Sequence, residues 1–120
     1  MEINRVYVVT LWAQDVPAAA HFYSDVLGLT LLPQHGKRPH FQVGETLITI
    51  LPASKPITQE GQSMRFPAIA FQVPDLDAAV GELQAASVPL PWGVGQDAEG
   101  RWVICHDPAG NLIELAEPRR

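Results

Sequence analysis

The stretch from Val9 to Leu29, VTLWAQDVPAAAHFYSDVLGL, decides the fold of this chain. Residues 3–11, which overlap its beginning, are rich in β-branched side chains and too few for a helix, which predicts a strand with both faces partly buried. Asp15 is a typical helix-capping residue, and Pro17 suits the first helical turn. Apolar residues then recur at spacings of three and four until Gly28, so the stretch predicts a strand followed by an amphipathic helix.

Short apolar runs follow the helix and are separated by turn residues. They predict strands at 29–32, 40–43 and 46–51, with a hairpin turn at 43–46. In residues 52–66 the composition changes to Pro, Ser, Lys, Gln and Gly with little periodicity. Residues 1–51 are therefore predicted to form a β-α-β-β-β module, and residues 52–66 a linker.

The same pattern begins again after the linker, half a chain length later. Asp75 repeats the position of Asp15 and caps a predicted helix, and Phe71 repeats the position of Leu11. Further strands are predicted at 68–73, 92–94, 101–106 and 112–116. Residues 67–120 thus form a second predicted β-α-β-β-β module, and the α+β chain is interpreted as an internal duplication.

The composition is that of a globular protein of 120 residues, 47% hydrophobic and 18% charged. A net charge of −5 argues against nucleic acid or an anionic membrane as the partner. Cys105 is the sole cysteine of the sequence, so no disulfide can form within the chain. Residues 1–20 fit neither a signal peptide nor a membrane span, and we therefore predict a cytoplasmic protein.

Three separated motifs resemble one known family: the opening stretch 9–29, the restart AFQVPDLD at 70–77 and the ending DPAGNLIEL at 107–115. Together they resemble the vicinal oxygen chelate superfamily, which contains glyoxalase I, bleomycin-resistance proteins, fosfomycin-resistance enzymes and extradiol dioxygenases. The resemblance implies that residues 1–120 form a single glyoxalase/bleomycin-resistance-like domain. It also implies that the two modules build a cup-shaped sheet, and that a homodimer completes the cavities across its interface.

The resemblance further implies where a metal would bind, because metal-dependent members take ligands from the first strand of each module and from the last strand of one or both. These positions fall on Val8, Ala68, the run 47–51 and Glu114. Glu114 is the one carboxylate or imidazole among them, whereas a catalytic transition metal normally needs about three protein ligands. We therefore expect no cofactor, and Glu114 would be a metal ligand only for a divalent ion that the substrate also bridges.

Apolar residues at the metal positions would leave a hydrophobic and aromatic cavity that holds a ligand. Alternation along the last strand puts Glu114 on one face with Leu112 and Ala116, as a lone carboxylate that is either solvated or paired with a cationic ligand. Trp92 lies in a Pro- and Gly-rich loop and is the tryptophan predicted to stack on a planar or cationic ligand. The predicted ligand-binding residues are Val8, Thr10, Ala68, Ala70, Gln72, Trp92 and Glu114.

Catalysis has two weak candidates, Glu114 and His106. His106 ends a strand that borders the predicted cup, where an imidazole can carry a proton or donate a hydrogen bond. No partner for it can be identified from spacing, so the alternative of an ordinary polar residue stays open. Cys105 lies among aliphatic neighbours and is predicted to be a buried structural thiol, and Phe22 and Tyr23 are predicted core residues.

Three functions stay open at this point. The first choice is a small-molecule-binding protein, metal-independent in the manner of bleomycin-resistance proteins, with an aromatic or cationic ligand and a second copy of the chain as partners. The alternative is an enzyme, a glyoxalase-type lyase or isomerase or a dioxygenase, that uses Glu114 with a substrate-bridged metal. The third is a structural or regulatory dimer whose cup is filled by its own side chains.

Overall fold

The structure is a computed structural model, and it describes residues 2–3, 5–33, 38–53 and 69–119. The chain divides into two compact units, residues 1–57 and 58–120. The first unit contains β1 (Val8–Ala13), α1 (Val16–His21), β2 (Thr30–Leu31), β3 (His40–Val43) and β4 (Thr46–Pro52). The second unit contains β5 (Ile69–Gln72), α2 (Leu76–Ala85), β6 (Val94–Asp97), β7 (Gly100–His106) and β8 (Leu112–Pro118).

The first unit is a four-stranded sheet in the order β1-β4-β3-β2, with α1 packed against β1 and β4. Strand β1 runs parallel to β4, and the other neighbours are antiparallel. Alternate residues such as Leu11, Ile48 and Ile50 are buried, as expected for a sheet with one covered face. The hairpin predicted at 43–46 is confirmed, because Val43 pairs with Thr46 across a two-residue turn.

The first strand begins later than predicted. Residues 3–7 were expected to belong to it, but β1 begins at Val8, where its pairing with Leu47 of β4 starts. Ile3 and Tyr7 are 80% and 61% exposed, so the prediction of two partly buried faces was wrong for this part of the chain. Their β-branched and aromatic composition favours a strand, but β4 begins at Thr46, and its contacts with this segment are a hydrogen bond from the Leu47 N–H to the Tyr7 carbonyl and one from the Thr46 hydroxyl to the Val6 carbonyl.

The first helix begins as predicted and ends differently. The Asp15 carboxylate accepts a hydrogen bond from the Ala18 N–H at 3.0 Å and caps α1. Beyond His21 the chain continues as a π-helical turn, Phe22–Val26, in which the Leu27 N–H donates to the Phe22 carbonyl at 3.0 Å. Phe22 and Tyr23 are both buried, as predicted.

The second unit repeats the plan of the first. Its sheet has the order β5-β8-β7-β6, with β5 parallel to β8 and α2 packed against β7 and β8. Asp75 caps α2 by accepting from the Ala78 N–H at 3.1 Å, as predicted from its correspondence with Asp15. Two four-stranded sheets, each covered by a short helix on one face, confirm the predicted α+β class.

Two further predicted boundaries need correction. The strand expected at 92–94 is β6 at Val94–Asp97, because Gly93 has a φ of 64° that a strand residue does not adopt. Pro52, predicted to begin the linker, is the last residue of β4, and linker residues 54–66 lie outside the described part of the chain. No helix among the described residues is long and apolar enough to cross a membrane.

Candidate functional site

The second sheet has one face covered by α2 and one that points away from it. Arg101 of β7 and Glu117 of β8 contact α2 through Asp77 and the Leu76 N–H, so the odd-numbered residues of these two strands lie on the helix side. The even-numbered residues lie on the opposite side, which we call the open face. Strand register places these residues on the open face: Ala70, Gln72, Gly95, Trp102, Ile104, His106, Leu112, Glu114 and Ala116.

Glu114 lies in the middle of the open face, between Ala70 of β5 and Ile104 of β7. Its side chain is half-buried and makes no hydrogen bond or ion pair with another residue in the described part of the chain. The predicted alternation along β8 is therefore confirmed, since Glu114 shares its face with Leu112 and Ala116. A carboxylate between two apolar neighbours has given up part of its hydration without gaining a partner.

A cavity of about 400 Å³ opens beside Glu114. Its volume lies within the range of about 300–1,000 Å³ that is usual for small-molecule sites. Trp102 and Ala116 contribute to its wall from the open face, and Glu99 contributes from the turn between β6 and β7. The lining residues are Asp97, Glu99, Gly100, Arg101, Trp102, Glu114, Ala116, Glu117 and Pro118.

The cavity is electrostatically negative, because four of its lining residues are acidic and one is basic. The basic residue, Arg101, is already engaged: its Nη1 contacts Asp77 at 3.1 Å and its Nη2 contacts Glu117 at 3.3 Å. The hydrogen bond to Asp77 is the largest cause that raises the pKa of Arg101. Asp97, Glu99 and Glu114 are left without a cationic partner among the described residues, a charge arrangement that favours a cationic ligand.

Trp102 is the aromatic residue of the lining, whereas the sequence interpretation had selected Trp92. It pairs in register with Gly95 of β6, and its indole lies across the position that a Cβ of Gly95 would occupy. Ala116 is its neighbour on the other side. Composition alone could not identify this placement, because it depends on how the β6–β7 hairpin pairs. The sequence did contain one signal, because Gly95 and Trp102 lie at equal distances from the turn at residues 98–99, as paired residues of a hairpin do.

Trp92 lies next to His106 at the other end of the open face. The two ring centroids are 5.5 Å apart with the planes tilted by 52°. Trp92 is 44% exposed, and His106 is half-buried in the row of the sheet next to that of Glu114. The structure thus brings two predicted candidates, Trp92 and His106, into contact with each other.

The predicted site residues of the first half lie on the corresponding face of the first sheet. Val8 and Thr10 are exposed and alternate with buried Leu11 and Ala13. The structure does not describe Ala68, which precedes β5. Each sheet therefore presents one face away from its helix, and the predicted residues among those described lie on such a face or, for Trp92, beside it.

The residues at the family's metal positions do not fit a transition metal. Val8 has no donor atom, and the β4 residues on the same face as Val8 are Leu47, Thr49 and Leu51. Among the described residues no group of three or more His, Cys, Asp and Glu side chains could hold a metal ion. Glu114 is a single carboxylate, and a site of this kind normally needs about three protein ligands.

Cys105 lies on the covered face and is fully buried, as predicted. Burial, and secondly the charge of Asp107, raise the pKa of its thiol to about 11. The thiol is therefore protonated at neutral pH, which makes it a poor nucleophile.

Comparisons with known proteins extend this description. The sequence model of the Glyoxalase/Bleomycin resistance protein/Dioxygenase superfamily matches residues 5–115. The Escherichia coli (strain K12) protein named "Uncharacterized protein YaeR" is 27% identical, over 96% of this chain and 97% of its own length.

Solved structures share the fold at lower identity. A glyoxalase/dioxygenase from Nostoc punctiforme has a TM-score of 0.83 and 24% identity, over 97% of this chain and 92% of its own. TnmS3, an antibiotic binding protein from Streptomyces sp. CB03234, has a TM-score of 0.78 and 22% identity over 99% of both chains. The family match spans nearly the whole sequence and agrees with the fold, so the chain belongs to the Glyoxalase/Bleomycin resistance protein/Dioxygenase superfamily.

Proposed function

We propose that this protein binds a small organic molecule, aromatic and cationic, on the open face of the second sheet. The observation that carries the proposal is the Glu114 carboxylate, half-buried and without a partner among the described residues, in the wall of a cavity that Trp102 also lines. A cation placed there would restore the interaction that the carboxylate lost on leaving water. The indole would add stacking and cation–π attraction.

Binding without a metal is supported by the small number of metal-binding side chains at the family's metal positions. The family's metal positions hold Glu114 as their one carboxylate, and the negative cavity attracts an organic cation, which does not need the roughly three protein ligands that a transition metal requires. TnmS3, which has the same fold, is an antibiotic binding protein, so this fold is compatible with holding a ligand. We include in the proposal a homodimer and a cytoplasmic location, both taken from the sequence interpretation.

The remaining predicted residues have supporting roles in this proposal. Ala70 contributes the small side chain beside Glu114, and Gln72 extends the row of Trp102 and Ala116. Trp92 offers a second aromatic surface at the far end of the face. The roles of Val8, Thr10 and Ala68 depend on the first sheet and on the segment before β5, and they stay predictions from the sequence.

The test compares two bicyclic probes at pH 8, N-methylquinolinium, a permanent cation, and quinoline, which is neutral there. Isothermal titration calorimetry should give a lower Kd for the cation, and Glu114→Gln should weaken its binding about tenfold, corresponding to about 1.4 kcal/mol. Glu82→Gln on the exposed surface of α2 makes the same charge change away from the cavity and should leave the Kd unchanged.

Equal affinity for the two probes, or an unchanged Kd in Glu114→Gln, would contradict the proposal. The enzymatic alternative has its own readout, since turnover of the methylglyoxal-glutathione hemithioacetal with added Ni²⁺ or Zn²⁺, lost in Glu114→Gln, would favour a glyoxalase-type lyase.

A further inference from the structure

We propose that Gly95 determines the specificity of this site: because it has no side chain, the indole of Trp102 lies flat on β6 and leaves the surface above Ala116 open for a planar cationic ring. This inference rests on the proposed function, and it adds a residue that does not itself belong to the cavity wall. Gly95 acts through Trp102 and is therefore a positioning residue.

The geometry places Trp102 between two small residues of neighbouring strands. It pairs with Gly95 on one side and with Ala116 on the other. Indole atoms Cε2, Cζ2 and Nε1 occupy the space where a Cβ of Gly95 would stand, and each would overlap with that Cβ. The ring thus lies on the β6 side of its row, and Ala116 stays in the cavity wall beside Glu114.

Backbone conformation does not explain a glycine at this position. Gly93 and Gly100, near the two ends of β6, have φ values of 64° and 151°, which side chains rarely adopt. Gly95 is not among the described glycines with positive φ, so its backbone would accept alanine. A glycine within a strand ordinarily weakens the strand. A glycine is required at position 95 because the indole of Trp102 occupies the space that a side chain would need.

The position of the indole determines which ligands the site would favour. The indole that covers Gly95 also lines the cavity, and the face of an indole attracts cations and planar aromatic groups. If the indole swung towards Ala116, it would cover the surface next to Glu114 where a planar ring would lie. The orientation held by Gly95 therefore selects a flat aromatic cation, whose ring stacks on Trp102 while its charge faces Glu114.

The central experiment measures N-methylquinolinium binding to Gly95→Ala. We expect a Kd at least tenfold higher than for the unchanged protein. In the ligand-free protein, the indole N–H signal of Trp102 in a ¹⁵N-¹H NMR spectrum should shift, while those of Trp12 and Trp92 stay in place. Gly81→Ala is the matched control, because Gly81 lies on α2 with nothing near its Cβ position, and its Kd should not change.

A double variant separates positioning from general damage to the strand. Trp102→Leu should weaken binding, and adding Gly95→Ala to Trp102→Leu should cause no further loss if Gly95 acts only through the indole. Unchanged binding in Gly95→Ala, or an equal additional loss in the Trp102→Leu background, would overturn the inference. If Glu114→Gln weakens binding but Gly95→Ala does not, this inference fails and the proposed function stands. No binding of either probe by the unchanged protein would overturn both.

Discussion

Asp107 organises the connection between β7 and β8 with one buried carboxylate. Its Oδ1 accepts from the N–H groups of Ala109 and Asn111 at 2.9 and 2.8 Å, and its Oδ2 accepts from the Asn111 side chain at 2.9 Å. The sequence predicts this turn from the order Asp, Pro, Gly, and Gly110 does take a positive φ of 96°. It does not reveal that the carboxylate is buried, because burial depends on the neighbouring strands.

Burial, and secondly the charge of the same carboxylate, raise the pKa of the thiol of Cys105, which leads to a prediction about alkaline pH. The folded protein holds the pKa of the thiol at about 11, above its ordinary value of 9.0. Between these values the unfolded chain loses the thiol proton and the folded chain keeps it. The contribution of the thiol to the free energy of unfolding is therefore fully present below pH 9 and is lost as the pH rises towards 11.

Urea unfolding at pH 8 and pH 10.5 measures this effect. The decrease in the free energy of unfolding between the two pH values should be larger for the unchanged protein than for Cys105→Ala, which lacks the thiol. Equal decreases would show that the thiol has a similar pKa in both states. The reagent DTNB should react slowly with the folded protein at pH 8 and rapidly after unfolding.

At the scale of elements, features that depend on neighbouring residues in the sequence were predicted better than features that depend on strand pairing. Both helix starts were predicted because Asp15 and Asp75 cap their own helices, and the 43–46 hairpin needs only its own residues. The start of β1, the position of β6 and the π-helical turn were not predicted. A strand's limits depend on its neighbours, and a π turn has no sequence pattern that distinguishes it from an α-helix.

The cap of α2 provides the prediction at this scale. Asp75→Ala should lower the free energy of unfolding by about 1 kcal/mol, because the Ala78 N–H loses its acceptor. Asp75→Asn keeps a side-chain oxygen in that position and should cost much less. Chemical denaturation of the two variants measures the difference, and equal costs would show that the hydrogen bond contributes little.

At the scale of the molecule, the two halves repeat one sheet design, and each sheet has one face turned away from its helix. The sequence predicted which face of β8 carries Glu114, because alternation along one strand is local. It selected Trp92 because that residue lies in a Pro- and Gly-rich loop, and it did not identify Trp102, whose placement depends on pairing with Gly95 of the neighbouring strand. Binding roles for these residues remain predictions.

Metal content is the prediction that concerns the molecule as a whole. Protein purified without a polyhistidine tag should contain well under one equivalent of Zn, Ni, Fe or Mn by plasma mass spectrometry, because the family's metal positions supply a single carboxylate. EDTA should leave the Kd for N-methylquinolinium unchanged. A stoichiometric metal whose removal abolishes binding would refute metal-independent binding.

Strand alternation in β8 places core residues and open-face residues next to one another in one short segment. Ile113 and Leu115 are buried on the helix side, whereas Glu114 and Ala116 point the other way. Under the proposed function, substitutions at the even positions would therefore change the surface that meets the ligand while the buried residues on the helix side stay the same. If such a strand binds a ligand as proposed, a lineage built on it could change its ligand through mutations that leave the hydrophobic core untouched.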